Sequence, residues 1–234
     1  MRVAVIPARA GSKRIPNKNI RHFAGIPIIA RSISVALESG CFDRVVVSTD
    51  SDNIAEVAEA HGAEVPFRRP PELADDFTPT IPVIRHAIDA LSGHSMQVTA
   101  VCCIYATAPL LRATDLQQAF DRLQDCDAFV LAVTEFRFPV QRALRRDGAG
   151  KVRMFEPEQF TTRSQDLEPA WHDAGQFYLA RTATWLTEDM IFQSGSIGIA
   201  LPTSRVQDID TLDDWEHAEL MFEALQRRDA TSTV

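Results

Sequence analysis

The chain has 234 residues, 45% of them hydrophobic, enough to bury a sizeable core as one α/β domain spanning residues 1–234. Its formal net charge of −8 excludes a global attraction to nucleic acid or to an anionic membrane surface, so an anionic ligand has to be met by locally clustered cations. Cys41, Cys102, Cys103 and Cys126 form no C-x-x-C pair and have no histidine at zinc spacing, and no stretch of about 18 apolar residues occurs, which predicts reduced thiols, no membrane span and a cytoplasmic protein.

Residues 3–6 are apolar and mostly β-branched up to Pro7, which predicts a buried strand delivering its C-terminal end into a loop. That loop gathers Arg9, Lys13, Arg14, Lys18 and, just beyond, Arg21 around Gly11 and Ser12. Small residues let backbone N–H groups approach a ligand while long cations surround it, and the target implied is a polyphosphate. A basic run is most often a solvated face, but this one follows a buried N-terminal strand directly, where open α/β sheets place their ligands. The second glycine of a P-loop has no counterpart and G-x-G-x-x-G is absent, so neither fingerprint applies.

Pro27, at a first helical position, and Ile29, Ile33, Ala36 and Leu37 predict an amphipathic helix stopped by Gly40, followed by a strand over 44–48. Ser51 or Asp52 can cap a helix running to His61, with Gly62 as its stop, before a short strand over 64–67. The alternation β-α-β-α-β implies right-handed crossovers and a mostly parallel sheet between helical layers, a Rossmann-like three-layer fold. A stiff polar loop over 68–76 leads into a helix carrying Ile84, Ala87, Ile88 and Leu91, and residues 98–104 read as a central strand covered on both faces. The next loop, 105–112, holds Tyr105 and Thr107, and Thr114 with Gln117 reads as a capping box opening the helix beyond.

A strand over 128–135 is followed by residues 136–171, where periodicity disappears. Six arginines from Arg137 to Arg163 mix there with Phe136, Phe138, Phe155 and Phe160, which predicts an insert rather than a connector, the other reading being a mobile loop. Residues 173–180 return to the core and 197–201 give a last strand. Asp208 and Asp210 stand two residues apart, so in an extended segment both carboxylates lie on one side and can hold a hard divalent cation, although Asp210 could merely precede a helix cap. Thr211 with Asp214 opens a final helix, and the polar tail 229–234 reads as frayed.

Pro7-Ala-Arg9, Gly11-Ser-Lys13 and Lys18-Asn19 resemble the signature loop of the CMP-nonulosonic acid synthetases, a cytidylyltransferase family, and the resemblance covers most of the chain. The runs 137–142, 163–166 and 172–178 resemble most the branch acting on pseudaminic acid, and Tyr105 and Ala106 replace the glutamine and proline of the Q-P-T-S-P-L-R loop in sialic acid relatives. The resemblance implies a fold of the nucleotide-diphospho-sugar transferase type with an inserted dimerisation subdomain at about 136–171, and a homodimer. It implies CTP and a nonulosonic acid as substrates, Mg²⁺ on Asp208 and Asp210, and catalysis by Lys18 and Arg9. Nucleotide contacts fall to Arg9, Gly11, Ser12, Lys13, Lys18, Asn19 and Arg69, the last on the cytosine. Sugar contacts fall to Thr107, Gln141, Arg163, His172, Gln176 and Phe177. Sialic acid or octulosonic acid as the sugar, and a nucleotide-binding module without turnover, are the alternatives.

Overall fold

The computed structural model describes residues 1–92 and 97–231. In chain order the strands are β1 (Arg2–Pro7), β2 (His22–Phe23), β3 (Ile26–Pro27), β4 (Arg44–Ser48), β5 (Ala100–Ile104), β6 (Val130–Glu135), β7 (Leu144–Arg146), β8 (Val152–Met154), β9 (Trp171–Arg181) and β10 (Ile197–Ala200). The helices are α1 (Ile28–Glu38), α2 (Asp52–Ala60), α3 (Thr80–Ser92), α4 (Ala113–Leu123), α5 (Thr182–Thr187) and α6 (Leu212–Thr231).

Six strands form one sheet in the order β10-β6-β9-β5-β1-β4. The pairs β1/β4, β1/β5 and β10/β6 are parallel, whereas β9 runs antiparallel between β5 and β6. The two-residue period of a strand divides the core. Ala4, Ile6, Val45, Val47, Cys102 and Ile104 pack under α1, α2 and α4 on one face, and Val3, Val5, Val46, Val101 and Cys103 pack under α3 and α5 on the other. All five residues of β5 are buried for this reason. The mixed, three-layer α/β architecture expected from the alternation is present. A third, smaller cluster joins Ile15, Phe23 and Ile28 to Ile209, Trp215 and Ala218, and so clamps the loop after β1 against the segment that enters α6.

Several local expectations are corrected. The strand expected over 64–67 is a single parallel bridge from Glu64 to Val46, because Pro66 has no N–H with which to continue a ladder. Thr114 lies inside α4, not at its cap: the helix begins one residue earlier, and the Asp115 carboxylate accepts from the Arg112 backbone N–H at 3.0 Å. Residues 229–231 belong to α6 instead of fraying, and 232–234 lie outside the described residues. The helix α5 carried no expectation. It seats Trp185, fully buried, with its indole N–H on Val101 O at 2.9 Å.

Residues 136–170 lie outside the six-stranded sheet, which Trp171 rejoins opposite Glu135 as the first residue of β9. They hold the antiparallel β7/β8 ribbon and short helical turns, with Phe138 82% and Phe160 74% exposed.

Candidate active site

The loop after β1, the loop 68–80 that leads into α3 and the loop after β5 meet the segment before α6 around a cavity of about 410 Å³. Its lining includes Arg9, Ser12, Lys13, Lys18, Asn19, Arg69, Asp76, Tyr105, Thr107, Asp208 and Asp210. Ile15, 1% exposed, anchors the first loop in the small cluster, so its cations are held on a packed base.

The loop's polar side chains each have a defined task. Asn19, buried, donates to Arg9 O at 2.9 Å and fixes the backbone carrying the first cation. Arg9 Nη1 donates to Gly11 O at 3.0 Å, and a Cβ added at Gly11 would meet that nitrogen at 3.2 Å, so glycine leaves the guanidinium room. Arg9 and Lys13 converge on one carboxylate, Asp76, at 2.6 and 2.5 Å. That pairing holds the Asp76 carboxyl below the ordinary range, with Lys13 the larger cause and Arg9 the next. Chemically, Asp76 stands where an anionic ligand's oxygens could be received by the same two cations.

Lys18 is further in. Its ammonium donates to Ile209 O at 2.7 Å and lies 3.4 Å from Asp210 Oδ1, on which Arg14 also converges at 2.9 Å. Asp208 has a different environment: burial first, and then the Asp210 carboxylate, push its pKa up. Two hard oxygen donors, one of them held against its own charge, fit a divalent cation that would relieve the repulsion and take its remaining ligands from phosphate and water. Among the described residues no group of three or more potential metal-binding side chains occurs, so the protein would supply only part of such a shell.

Arg69 is 5% exposed, and its Nε and Nη2 have no hydrogen-bond partner, while its backbone N–H is held on Thr49 O at 2.8 Å. Burial pushes its pKa down, with Asp50 opposing. Buried guanidinium donors without partners are costly, and a ligand acceptor reaching them from the cavity would be bound strongly and in one orientation.

The expected sugar-contact set is mostly elsewhere. Thr107 lines the cavity; Gln141, Arg163, His172, Gln176 and Phe177 do not. Gln141 donates to Glu168 O at 2.9 Å within the insert, and Arg163, 70% exposed, is paired with Asp166 at 2.7 Å. His172 holds Asp173 O at 2.8 Å and packs against Phe136. Gln176 is buried and donates to Arg205 O at 2.6 Å. Phe177 is fully buried in the core, because its place in the alternation of β9 turns the ring under the sheet. Sequence reasoning missed Asp76, which a loop folding back over the cations brings in, and Tyr178, whose hydroxyl reaches Tyr105. The acidic pair Asp75-Asp76 facing a basic loop was the available signal for the first.

A family model described as cytidylyltransferase matches residues 3–194. The chain is 45% identical over 221 residues to a pseudaminic acid cytidylyltransferase of Campylobacter jejuni subsp. jejuni, covering 94% of this chain and 95% of the relative. It is 34% identical over 232 residues to a CMP-N,N'-diacetyllegionaminic acid synthase of Legionella pneumophila subsp. pneumophila, covering 96% and 97%. A solved CMP:2-keto-3-deoxy-manno-octonic acid synthetase complexed with CTP shares the fold, with a TM-score of 0.68 at 16% identity over 95% of this chain and 98% of that one.

Proposed function

Because the chain belongs to the cytidylyltransferase family, we propose that it transfers CMP from CTP to the anomeric hydroxyl of pseudaminic acid and releases pyrophosphate. The observation that carries this reading is the convergence of Arg9 and Lys13 on one carboxylate, in the cavity that also holds the unpartnered buried donors of Arg69. A triphosphate that displaces Asp76 meets both cations, and a base whose acceptors reach Arg69 is held in a single orientation. The full-length likeness to the Campylobacter jejuni relative supports pseudaminic acid as the sugar.

Arg9 and Lys13 hold the triphosphate, Ser12 admits its oxygens to the backbone, and Lys18, beside Asp210, meets the charge that develops at the α-phosphate. The sugar hydroxyl attacks in line, so the protein's contribution is position and charge, without a covalent intermediate. Asp208 and Asp210 would hold Mg²⁺, which when bound neutralises charge on the phosphates. Thr107 and Tyr105 form the cavity wall left for the sugar. The working unit is a homodimer joined through the insert, whose Phe138, Leu144, Val152 and Phe160 are exposed. It acts in the cytoplasm, consistent with four free cysteines.

Pyrophosphate release from CTP, measured with pseudaminic, legionaminic, sialic and octulosonic acids in turn, tests the reading. Turnover is expected with pseudaminic acid at the highest kcat/KM. Preference for another acid would move the substrate assignment, and no release with any of them would leave a nucleotide-binding module.

A further inference from the structure

The chain contains two tyrosines, and the fold sets them side by side. Tyr105, on the loop after β5, and Tyr178, on β9, have ring centroids 5.6 Å apart and hydroxyl oxygens 3.2 Å apart. Tyr178 Oη is also 2.5 Å from Asp173 Oδ2, and the other oxygen of that carboxylate accepts from Gly175 N–H at 3.0 Å. Burial pushes both phenols up, so each keeps its single proton at neutral pH.

The direction of this chain follows from proton counting. The Tyr178 hydroxyl is the donor to Asp173 Oδ2, whose carboxylate oxygens both accept. With its one hydrogen committed, Tyr178 can only accept from Tyr105. The Tyr105 hydroxyl therefore points its hydrogen inward and leaves only lone pairs facing the cavity, which Tyr105 lines together with Thr80 and Thr107. The Thr80 hydroxyl hydrogen-bonds Tyr105 there; with the Tyr105 hydrogen on Tyr178 it does so as donor, which leaves one lone pair for a ligand.

We propose that Asp173 and Tyr178 are positioning residues that fix the direction of this hydrogen-bond chain, and that Tyr105 Oη thereby reads a hydrogen-bond donor, a hydroxyl or acylamino N–H, on the sugar substrate. The proposal rests on the cytidylyltransferase reading above. Neither Asp173 nor Tyr178 lines the cavity, so both act through Tyr105. The carboxylate makes the selection steep, because reversing Tyr105 would require breaking the Tyr178 hydrogen bond to Asp173.

Asp173→Asn supplies the sharpest test. The amide keeps an oxygen for Gly175 N–H but presents N–H to Tyr178, so the chain turns round and Tyr105 donates into the cavity. The expected result is a rise of roughly tenfold in the sugar KM, the scale of one unsatisfied hydrogen bond, with the CTP KM unchanged. Tyr178→Phe deletes the middle link and should raise the sugar KM less. In the double variant the effect of Asp173→Asn should vanish, giving the Tyr178→Phe value, since a reversal cannot pass a missing link. A structural role would instead give additive losses that also move the CTP KM. Sugar analogues with single hydroxyls replaced by fluorine complete the test: the analogue that the parent discriminates against most should be tolerated by Asp173→Asn. Unchanged sugar KM in both single variants, or additivity in the double, overturns the proposal. Should Asp173→Asn fail to fold, Tyr178→Phe and Tyr105→Phe with parental sugar KM overturn it equally. A parent chain inert with every acceptor sugar would instead overturn the functional reading itself.

Discussion

Lys18 combines two properties that a catalytic cation needs: its side chain is only 21% exposed, and the Ile209 carbonyl, on the segment before α6, holds it in place. Removing its charge with Lys18→Ala should lower kcat by about 10²–10³ while changing the CTP KM much less, the loss expected when a preorganised charge contact is made chiefly in the transition state. Steady-state kinetics on the folded variant checks this, and near-parental kcat would take Lys18 out of the mechanism. Asp208 makes a complementary prediction. Burial, then Asp210, raise its folded pKa, so folding favours its protonated form. The stability it contributes is complete below the unfolded carboxyl pKa of about 3.9 and is lost as pH rises through the raised folded value. Without metal at pH 8, Asp208→Asn should therefore melt higher, by roughly 1–3 °C, and the gain should shrink as the pH approaches 4. Scanning calorimetry in chelator reads it. The same variant should lose Mg²⁺ binding by isothermal titration, because the amide cannot replace the carboxylate's charge.

At the scale of elements, the segment leading to Asp208 is secured by an ion pair deep between α4 and the turn at Arg205. Arg205 makes two hydrogen bonds to Asp115, at 2.5 and 2.9 Å, with side chains 9% and 5% exposed. Asp115 also caps α4, and Arg205 O takes the Gln176 amide, so one network joins α4, β9 and the segment that leads to Asp208 and Asp210. Asp115→Ala should cost about 3–5 kcal/mol in urea unfolding, since it leaves Arg205 buried without its partner. A loss within the range of surface substitutions would mean that Arg205 turns out to solvent. Elements of this kind were partly legible. The six strands of the main sheet could be read because β-branched runs such as 44–48 favour the extended conformation, and the capping box of α6 because Thr211 and Asp214 act within one turn. The site's cationic half was legible for a similar reason, being contiguous in the chain. Gln176 and Phe177 were not: Gly175, at φ +60°, re-aims the start of β9, and which face each later residue takes depends on a partner strand some 70 positions away.

For the molecule as a whole the open matter is the insert. Its expected sugar contacts, Gln141 and Arg163, lie outside the cavity of their own chain, and the insert presents Phe138, Leu144, Val152 and Phe160 to the outside. Both facts are accounted for together if the insert packs on a second copy and carries Arg163 to that copy's site, where its planar fork could take the sugar carboxylate in place of Asp166. Complementation tests this directly. Lys18→Ala and Arg163→Ala should each be nearly inactive, the first through kcat and the second through the sugar KM. If Arg163 works across the interface, a mixed dimer has one site with both residues missing and one with both intact. Random re-association of the two variants in equal amounts makes half the dimers mixed, so about a quarter of parental activity should return. If Arg163 serves its own chain, every site in the mixture lacks one residue or the other, and mixing restores nothing. Light scattering on the parent separates the remaining case, since a monomer at assay concentration would rule out any contribution across an interface.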